Sequence, residues 1–330
     1  MQMRQRLRRT TAVRPATTSI LAASALLLAA CGGSDDSESS GTGNGLSGDI
    51  IIDGSSTVAP LTEPVAAMFQ EQNPEVRVSV GTSGTGGGFE KFCNGETAIS
   101  DASRQISDEE IQACEQAGIQ WEEVTVANDA LTVVVNPDNP VTCVSPEQLQ
   151  AIYGPQSTAT NWNQVPGLEP AFDQELQIFS PGADSGTFDY FTDAVNGEEG
   201  AQRSQGVNIV GEDDNATVTG VAGSAGGIGY FGYSYFQENE GRLKALEIRN
   251  DAGECVAPTL ETTQDASYNP LGRQLFVYPS ARALERPEVQ EFMNFFLENV
   301  NDVAPRAGFI PLTDQQLQDA RDKVAALTTS

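Results

Sequence analysis

The chain has 330 residues, 46 acidic against 18 basic, a net charge of −28 and no histidine. Too few Lys and Arg remain to form a stripe along a phosphodiester backbone, which argues against a nucleic-acid partner. The missing imidazole removes Ser-His-Asp triads, Cys-His dyads, His-based zinc sites and most general-base schemes at neutral pH, so neither an enzyme nor a metal or organic cofactor is expected.

Arg4, Arg6, Arg8, Arg9 and Arg14 precede an apolar run from Ile20 to Ala30. That run is roughly eleven residues, too short for a bilayer span of about twenty, so residues 1–30 read as a signal peptide. Leu28-Ala29-Ala30-Cys31 followed by Gly32 has the form of a lipobox, which makes Cys31 the expected lipidation site. Its acyl chains would supply the two or more hydrocarbon signals that stable anchoring needs. The Gly/Ser/Asp/Glu-rich stretch after it has little to bury, and residues 31–47 are expected to be the lipidated Cys31 and a flexible tether.

The body alternates strand and helix, as an α/β protein does. Asp49-Ile50-Ile51-Ile52 predicts a strand. Val58, Leu61, Val65, Met68 and Phe69 share a helical face that ends at Asn73-Pro74, and Val76 to Val80 alternates as a second strand. A glycine loop leads to Phe89 and Phe92 in another helix, and Thr97 to Ser100 is a third strand. Ser107 caps a helix with an acidic first turn. Val124 to Val135 reads as two strands, split by Asn128-Asp129. Ser145-Pro146-Glu147-Gln148 is a capped helix start, and Leu176 to Phe179 is a strand feeding a loop at Asp184. Gly226 to Tyr233 reads as a glycine-aromatic strand, Leu275 to Tyr278 as a returning strand, and Pro287 to Val300 and Asp314 to Leu327 as amphipathic helices. The order implies two lobes joined by two crossing strands: lobe I from 48 to 130, lobe II from 131 to 272, and lobe I again from 273 to 330.

Four segments share one design, a short apolar strand running into a Ser/Thr/Gly loop that opens a helix. They are Asp53-Gly54-Ser55-Ser56-Thr57, the run Gly81 to Gly88, Asp101-Ala102-Ser103-Arg104 and Asp184-Ser185-Gly186-Thr187. Helix N-termini carry unpaired N–H groups and partial positive charge, so several of them with hydroxyl side chains would enclose a small anion, phosphate being the leading candidate. Asp101 gives that choice a physical basis. A carboxylate can accept the proton that hydrogen phosphate retains, whereas sulfate would set lone pairs against lone pairs. The competing reading of Asp101 is a plain N-cap, and of Arg104 a surface residue at a helix start; Asp53 and Asp184 read as caps or turn formers.

Apart from Cys31 there are four cysteines, Cys93, Cys114, Cys143 and Cys255, an even set that in an exported chain suggests two disulfides. Three connectivities are open. Cys93 and Cys114 bracket one short segment, which favours Cys93–Cys114 and, by elimination, Cys143–Cys255; free buried thiols are the alternative.

Asp53-Gly-Ser-Ser-Thr-Val, Ser83-Gly-Thr-Gly-Gly-Gly-Phe, Ser100-Asp-Ala-Ser-Arg, Asp184-Ser-Gly-Thr-Phe-Asp-Tyr-Phe and Gly229-Tyr-Phe-Gly-Tyr occur in that order over nearly the whole body. In this the chain resembles the periplasmic phosphate-binding proteins of ABC transporters. The resemblance implies a two-lobed periplasmic-binding-protein fold of type II, each lobe a sheet flanked by helices. It also implies a monomeric receptor that passes phosphate to permease subunits, held by its lipid at the outer face of the cytoplasmic membrane or in the periplasm. By the same resemblance Thr57 gives a hydroxyl and Val58 a backbone N–H to the ligand, Ser83 or Thr85 a hydroxyl, and Ser185, Gly186 and Thr187 further donors, while Asp101 accepts the ligand's proton. Many relatives carry an arginine four residues before the Ser of the Ser-Gly-Thr loop. Here Pro181 stands there, and Arg104 is the expected substitute. A receptor for another tetrahedral oxyanion, a phosphate sensor, and more distantly a phosphatase are the alternatives.

Overall fold

The computed structural model describes residues 45–211 and 213–328. The expected signal peptide, Cys31 and the tether up to residue 44 lie outside the described residues. Strand and helix alternate from the start: β1 (Gly48–Gly54), α1 (Ala59–Gln72), β2 (Val76–Gly81), α2 (Gly84–Cys93), β3 (Ile99–Ala102), α3 (Asp108–Ala117) and β4 (Val124–Val135). Next come β5 (Cys143–Val144), α4 (Pro146–Tyr153), β6 (Gln177–Ser180), α5 (Gly186–Asn196), β7 (Val207–Ile209), α6 (Asp214–Ala222), β8 (Gly227–Gly232) and α7 (Tyr233–Asn239). The chain continues through β9 (Lys244–Ala245), β10 (Glu247–Arg249), β11 (Cys255–Val256) and α8 (Leu260–Gln264). It returns along β12 (Gly272–Pro279) and closes with α9 (Ala281–Leu284), α10 (Pro287–Val303) and α11 (Asp314–Thr328).

Among the described residues the main sheet runs in the order β2-β1-β3-β12-β4-β8-β6-β7, with β9 added alongside β4. β1 is parallel to β2 and β3, and β6 is parallel to β7 and β8, as strand-helix-strand crossovers dictate. β12 and β4 lie antiparallel between these two groups. The first part of β4 pairs with β12 through Ala130, and its second part pairs with β8 from Leu131.

The two-strand reading of Val124 to Val135 is therefore corrected: this is one unbroken strand. Asn128 and Asp129 do not end it because both are satisfied inside it. Asn128 exchanges backbone hydrogen bonds with Ile310 at 2.9 and 2.8 Å and its side chain reaches Gln316, while Asp129 pairs with Arg273.

Each side of the junction has its own apolar core. Ile50, Ile52, Leu61, Val65 and Phe69 pack with Phe292 and Phe296 on one side; Tyr153, Trp162, Phe191, Tyr230 and Phe231 pack on the other. α1 buries the face its sequence periodicity marks, and Asn73 stops it by donating its side chain and its own N–H to Phe69 O. Ser107 and Ser145 form full capping boxes with Glu110 and Gln148. Two disulfides are present, Cys93–Cys114 linking α2 to α3 and Cys143–Cys255 linking β5 to β11. No helix among the described residues is long and apolar enough to cross a membrane.

Candidate functional site

The loop after β1 is pressed against β3. Gly54 has φ +146°, and a side chain there would collide with the backbone of Asp101, while the Ser55 N–H donates to Asp101 O at 2.9 Å. The turn closes on itself, with the Thr57 N–H on Ser55 Oγ (3.2 Å) and the Val58 N–H on Ser55 O (3.2 Å). The N–H assigned to the ligand at Val58 is thus used within the turn, and the Val58 side chain is buried; Ser56, which is exposed, and Thr57, which is half-buried, are the residues of this loop that face open space.

Asp53 organises the neighbouring loop. Its Oδ1 accepts from both the N–H (3.0 Å) and the hydroxyl (2.6 Å) of Ser83, and its Oδ2 takes the Lys91 ammonium at 2.5 Å. Burial works to raise this carboxyl, but the bonds from Lys91 and Ser83 outweigh it and hold it below the usual carboxylate range. Gly88 lets α2 lie directly on this loop, since an added Cβ would come within 2.5 Å of Gly54 Cα. The N-terminal turn of α2, with N–H groups that have no partner inside the helix, is thereby aimed at the same space as Thr57. Thr85 Oγ1 accepts the Ser103 N–H at 3.2 Å, tying the β2 and β3 loops together.

From the other side of the sheet, the first turn of α5 comes close enough that a Cβ at Gly186 would lie 3.1 Å from Thr57 Oγ1. Thr57, Ser83, Thr85, Arg104 and Gly186 line one cavity of about 790 Å³. Ser185 and Thr187 line an adjoining cavity that shares Thr57 and Gly186 with it. Of the residues singled out in the sequence, Val58 and Asp101 are the two behind the wall rather than in it.

Asp101 is completely buried. Thr62 Oγ1 donates to its Oδ2 at 2.8 Å and its Oδ1 has no partner. Loss of hydration pushes the carboxyl up to about 7 against the Thr62 hydrogen bond, with Asp53 and Glu63 adding to the rise. Arg104 lines the cavity but commits Nη1 and Nη2 to the two carboxylate oxygens of Glu110, each at 2.8 Å.

Two groups that sequence reasoning missed stand in the same cavity. Asp189, on α5, is pushed up to about 6 by burial and then by the neighbouring Glu199. Arg273, on β12, is the directly opposed cross-strand partner of Asp129 and holds its Cζ 3.5 Å from the Tyr190 ring centroid. The one local cue to Arg273 was a scarce basic residue just before the returning strand.

A metal finds no better seat. The described cluster of Cys143, Glu247 and Cys255 has its two sulfurs joined as a disulfide, so it offers no thiolate.

The sequence pattern of the PBP superfamily domain matches residues 37–300. The chain is 45% identical over 265 residues to Protein SphX of Synechococcus elongatus, covering 80% of this chain and 77% of that one. It is 38% identical over 281 residues to Phosphate-binding protein PstS of Staphylococcus saprophyticus, covering 84% of each. Its structure is similar to that of a possible phosphate binding protein from Planctomyces limnophilus, with a TM-score of 0.80 and 40% identity over 86% of this chain and 99% of that one. An ABC-type phosphate transport receptor from Vibrio cholerae, 24% identical with a TM-score of 0.60 over 80% of this chain and all of that one, shares the fold.

Proposed function

Since the chain belongs to the PBP superfamily and, within it, to the PstS family of phosphate-binding proteins, we propose that it captures inorganic phosphate between the two halves of its sheet and delivers it to the permease subunits of an ABC importer. The observation that carries this reading is the meeting of Thr57 and Gly186, from opposite halves, at a cavity that Ser83 and Thr85 also line. Hydroxyls and helix-start N–H groups hold an anion by local dipoles, which is what a molecule of net charge −28 requires.

In this reading Thr57, Ser83 and Thr85 donate from lobe I (48–130 and 273–330) and Ser185, Gly186 and Thr187 from lobe II (131–272). Both cross-connections, β4 and β12, act as the hinge. A cavity of about 790 Å³ is far roomier than one tetrahedral anion needs, so closure of the lobes completes the site. Asp101 lies behind the wall of the open cavity with one carboxylate oxygen still unpartnered; in this reading closure brings the anion against it, where its ionised form accepts the proton of hydrogen phosphate and so turns sulfate away. The protein acts as a monomeric receptor rather than an enzyme, exported and held at the outer face of the membrane by lipid on Cys31.

Calorimetric titration with phosphate, sulfate and arsenate tests the reading. One saturable phosphate site with sulfate excluded is the expected result; binding of sulfate in preference, or no binding of phosphate, overturns it.

A further inference from the structure

We propose that Arg273, rather than Arg104, supplies the positive charge that contacts the bound anion; this rests on the phosphate reading above. Arg273 sits on β12, one of the two strands shared by both halves, and its guanidinium is held from both. Nε donates to Asp129 Oδ2 at 3.2 Å, Nη1 to Ser103 O at 3.3 Å and Nη2 to Thr57 Oγ1 at 3.4 Å, all on the first half or the junction. The face of the guanidinium lies on Tyr190 of α5, whose own hydroxyl is fixed on Pro270 O at 2.8 Å. The group is thereby positioned without being saturated. An arginine has five N–H donors, and these contacts engage three, leaving one on each terminal nitrogen in the cavity that Arg273 lines. Two parallel donors on a planar fork match two oxygens of a tetrahedral anion.

Arg104 is more fully spent and more open. Its Nη1 uses both donors, on Glu110 and on Gln105 O at 3.0 Å, and its Nη2 engages the other Glu110 oxygen, so no pair of terminal donors is left. Its Cζ stands 5.7 Å from the Phe89 ring centroid against 3.5 Å for Arg273 over Tyr190, and its side chain is 47% exposed against 17%. Exposed charge is screened by water and salt, whereas a guanidinium seated on an aromatic face and backed by a buried carboxylate keeps its field for a ligand in the cavity. Because Arg273 touches Thr57 and Ser103 on one side and Tyr190 on the other, the anion and the closed arrangement of the two halves are stabilised by one group.

The test is calorimetric titration of inorganic phosphate into the full chain and its variants, with thermal melting of each in the absence of phosphate. Arg273→Gln should weaken binding at least about 100-fold. Arg273→Lys, which keeps the charge and loses the fork, should weaken it about 10-fold, and Arg104→Gln should stay within about threefold. Near-native affinity in Arg273→Gln, or a larger loss in Arg104→Gln, overturns the proposal. Wild-type protein that binds no phosphate sinks the functional reading itself, so the two failures are distinguishable. Should Arg273→Gln not fold, ¹⁵N spectra of the wild-type arginine side chains decide, with Arg273→Lys giving the assignment. Phosphate should shift the Arg273 signals, and signals that stay in place while Arg104 moves overturn the proposal.

Discussion

Gly186 and Thr57 touch across the two halves of the sheet, close enough that a methyl group on Gly186 would sit 3.1 Å from Thr57 Oγ1. Alanine at this position obliges the two helix-opening loops to part by a few tenths of an ångström. Phosphate affinity in Gly186→Ala should fall about tenfold, equivalent to about 1.4 kcal/mol, while the melting temperature of the ligand-free protein stays near that of the wild type. A calorimetric Kd equal to wild type would separate these two loops from the ligand.

Asp101 links the site to pH. Its carboxyl is pushed up to about 7, chiefly by burial, whereas an unfolded Asp titrates near 3.9. The native state therefore holds an extra proton between about pH 4 and 7, and its stability declines as pH rises through that window. Melting temperature of the ligand-free protein should drop from pH 5 to pH 8, and Asp101→Asn, which cannot ionise, should flatten the slope. The same variant presents an amide where the proposed mechanism needs a carboxylate to accept a proton, so phosphate binding should weaken about tenfold or more and discrimination against sulfate should narrow. Unaltered affinity for both anions would remove Asp101 from the recognition of phosphate.

Asp189 places a negative charge in the cavity proposed above for the anion. With its carboxyl at about 6, it is ionised at pH 8 and largely neutral at pH 5. Asp189→Asn should tighten phosphate binding about threefold at pH 8 and leave it unchanged at pH 5. A gain of equal size at both pH values would trace the effect to packing instead of charge.

Local signals made most of this architecture readable in advance. α1 follows the apolar spacing of Leu61, Val65 and Phe69, and α3 and α4 begin at their Ser107 and Ser145 caps. Three of the four Ser/Thr/Gly loops open helices onto common ground, whereas Asp101 and Ala102 finish β3 and α3 begins only at Asp108. What escaped depends on partners far away in sequence. Asn128 and Asp129 look like a strand break until Ile310, Gln316 and Arg273 are brought beside them, the last 144 residues downstream. Arg273 has no motif around it, and its setting comes from cross-strand register with Asp129 and from Tyr190 arriving on α5. The Val58 N–H entered as a ligand donor only through the family resemblance, and the turn geometry that spends it on Ser55 O was not legible in the residues.

The two disulfides should differ in what their loss does. Cys143 and Cys255 are 112 residues apart and join the outer strands of the small β11-β10-β5 sheet, whereas Cys93 and Cys114 are separated by 21 and tie the end of α2 to α3. Chain-entropy arguments give about 3 kcal/mol for a short loop and nearer 5 for one of about a hundred residues. Cys143→Ser with Cys255→Ser should therefore cost the larger stability in denaturant unfolding. Its phosphate affinity, measured well below the melting temperature, should not change, because none of β5, β10 or β11 lines the cavity. Cys93→Ser with Cys114→Ser should cost less stability yet weaken phosphate several-fold, since α2 carries Thr85 and Gly86 into the site at its other end. If both pairs affected binding alike, α2 would not be the rigid link between its disulfide and the anion.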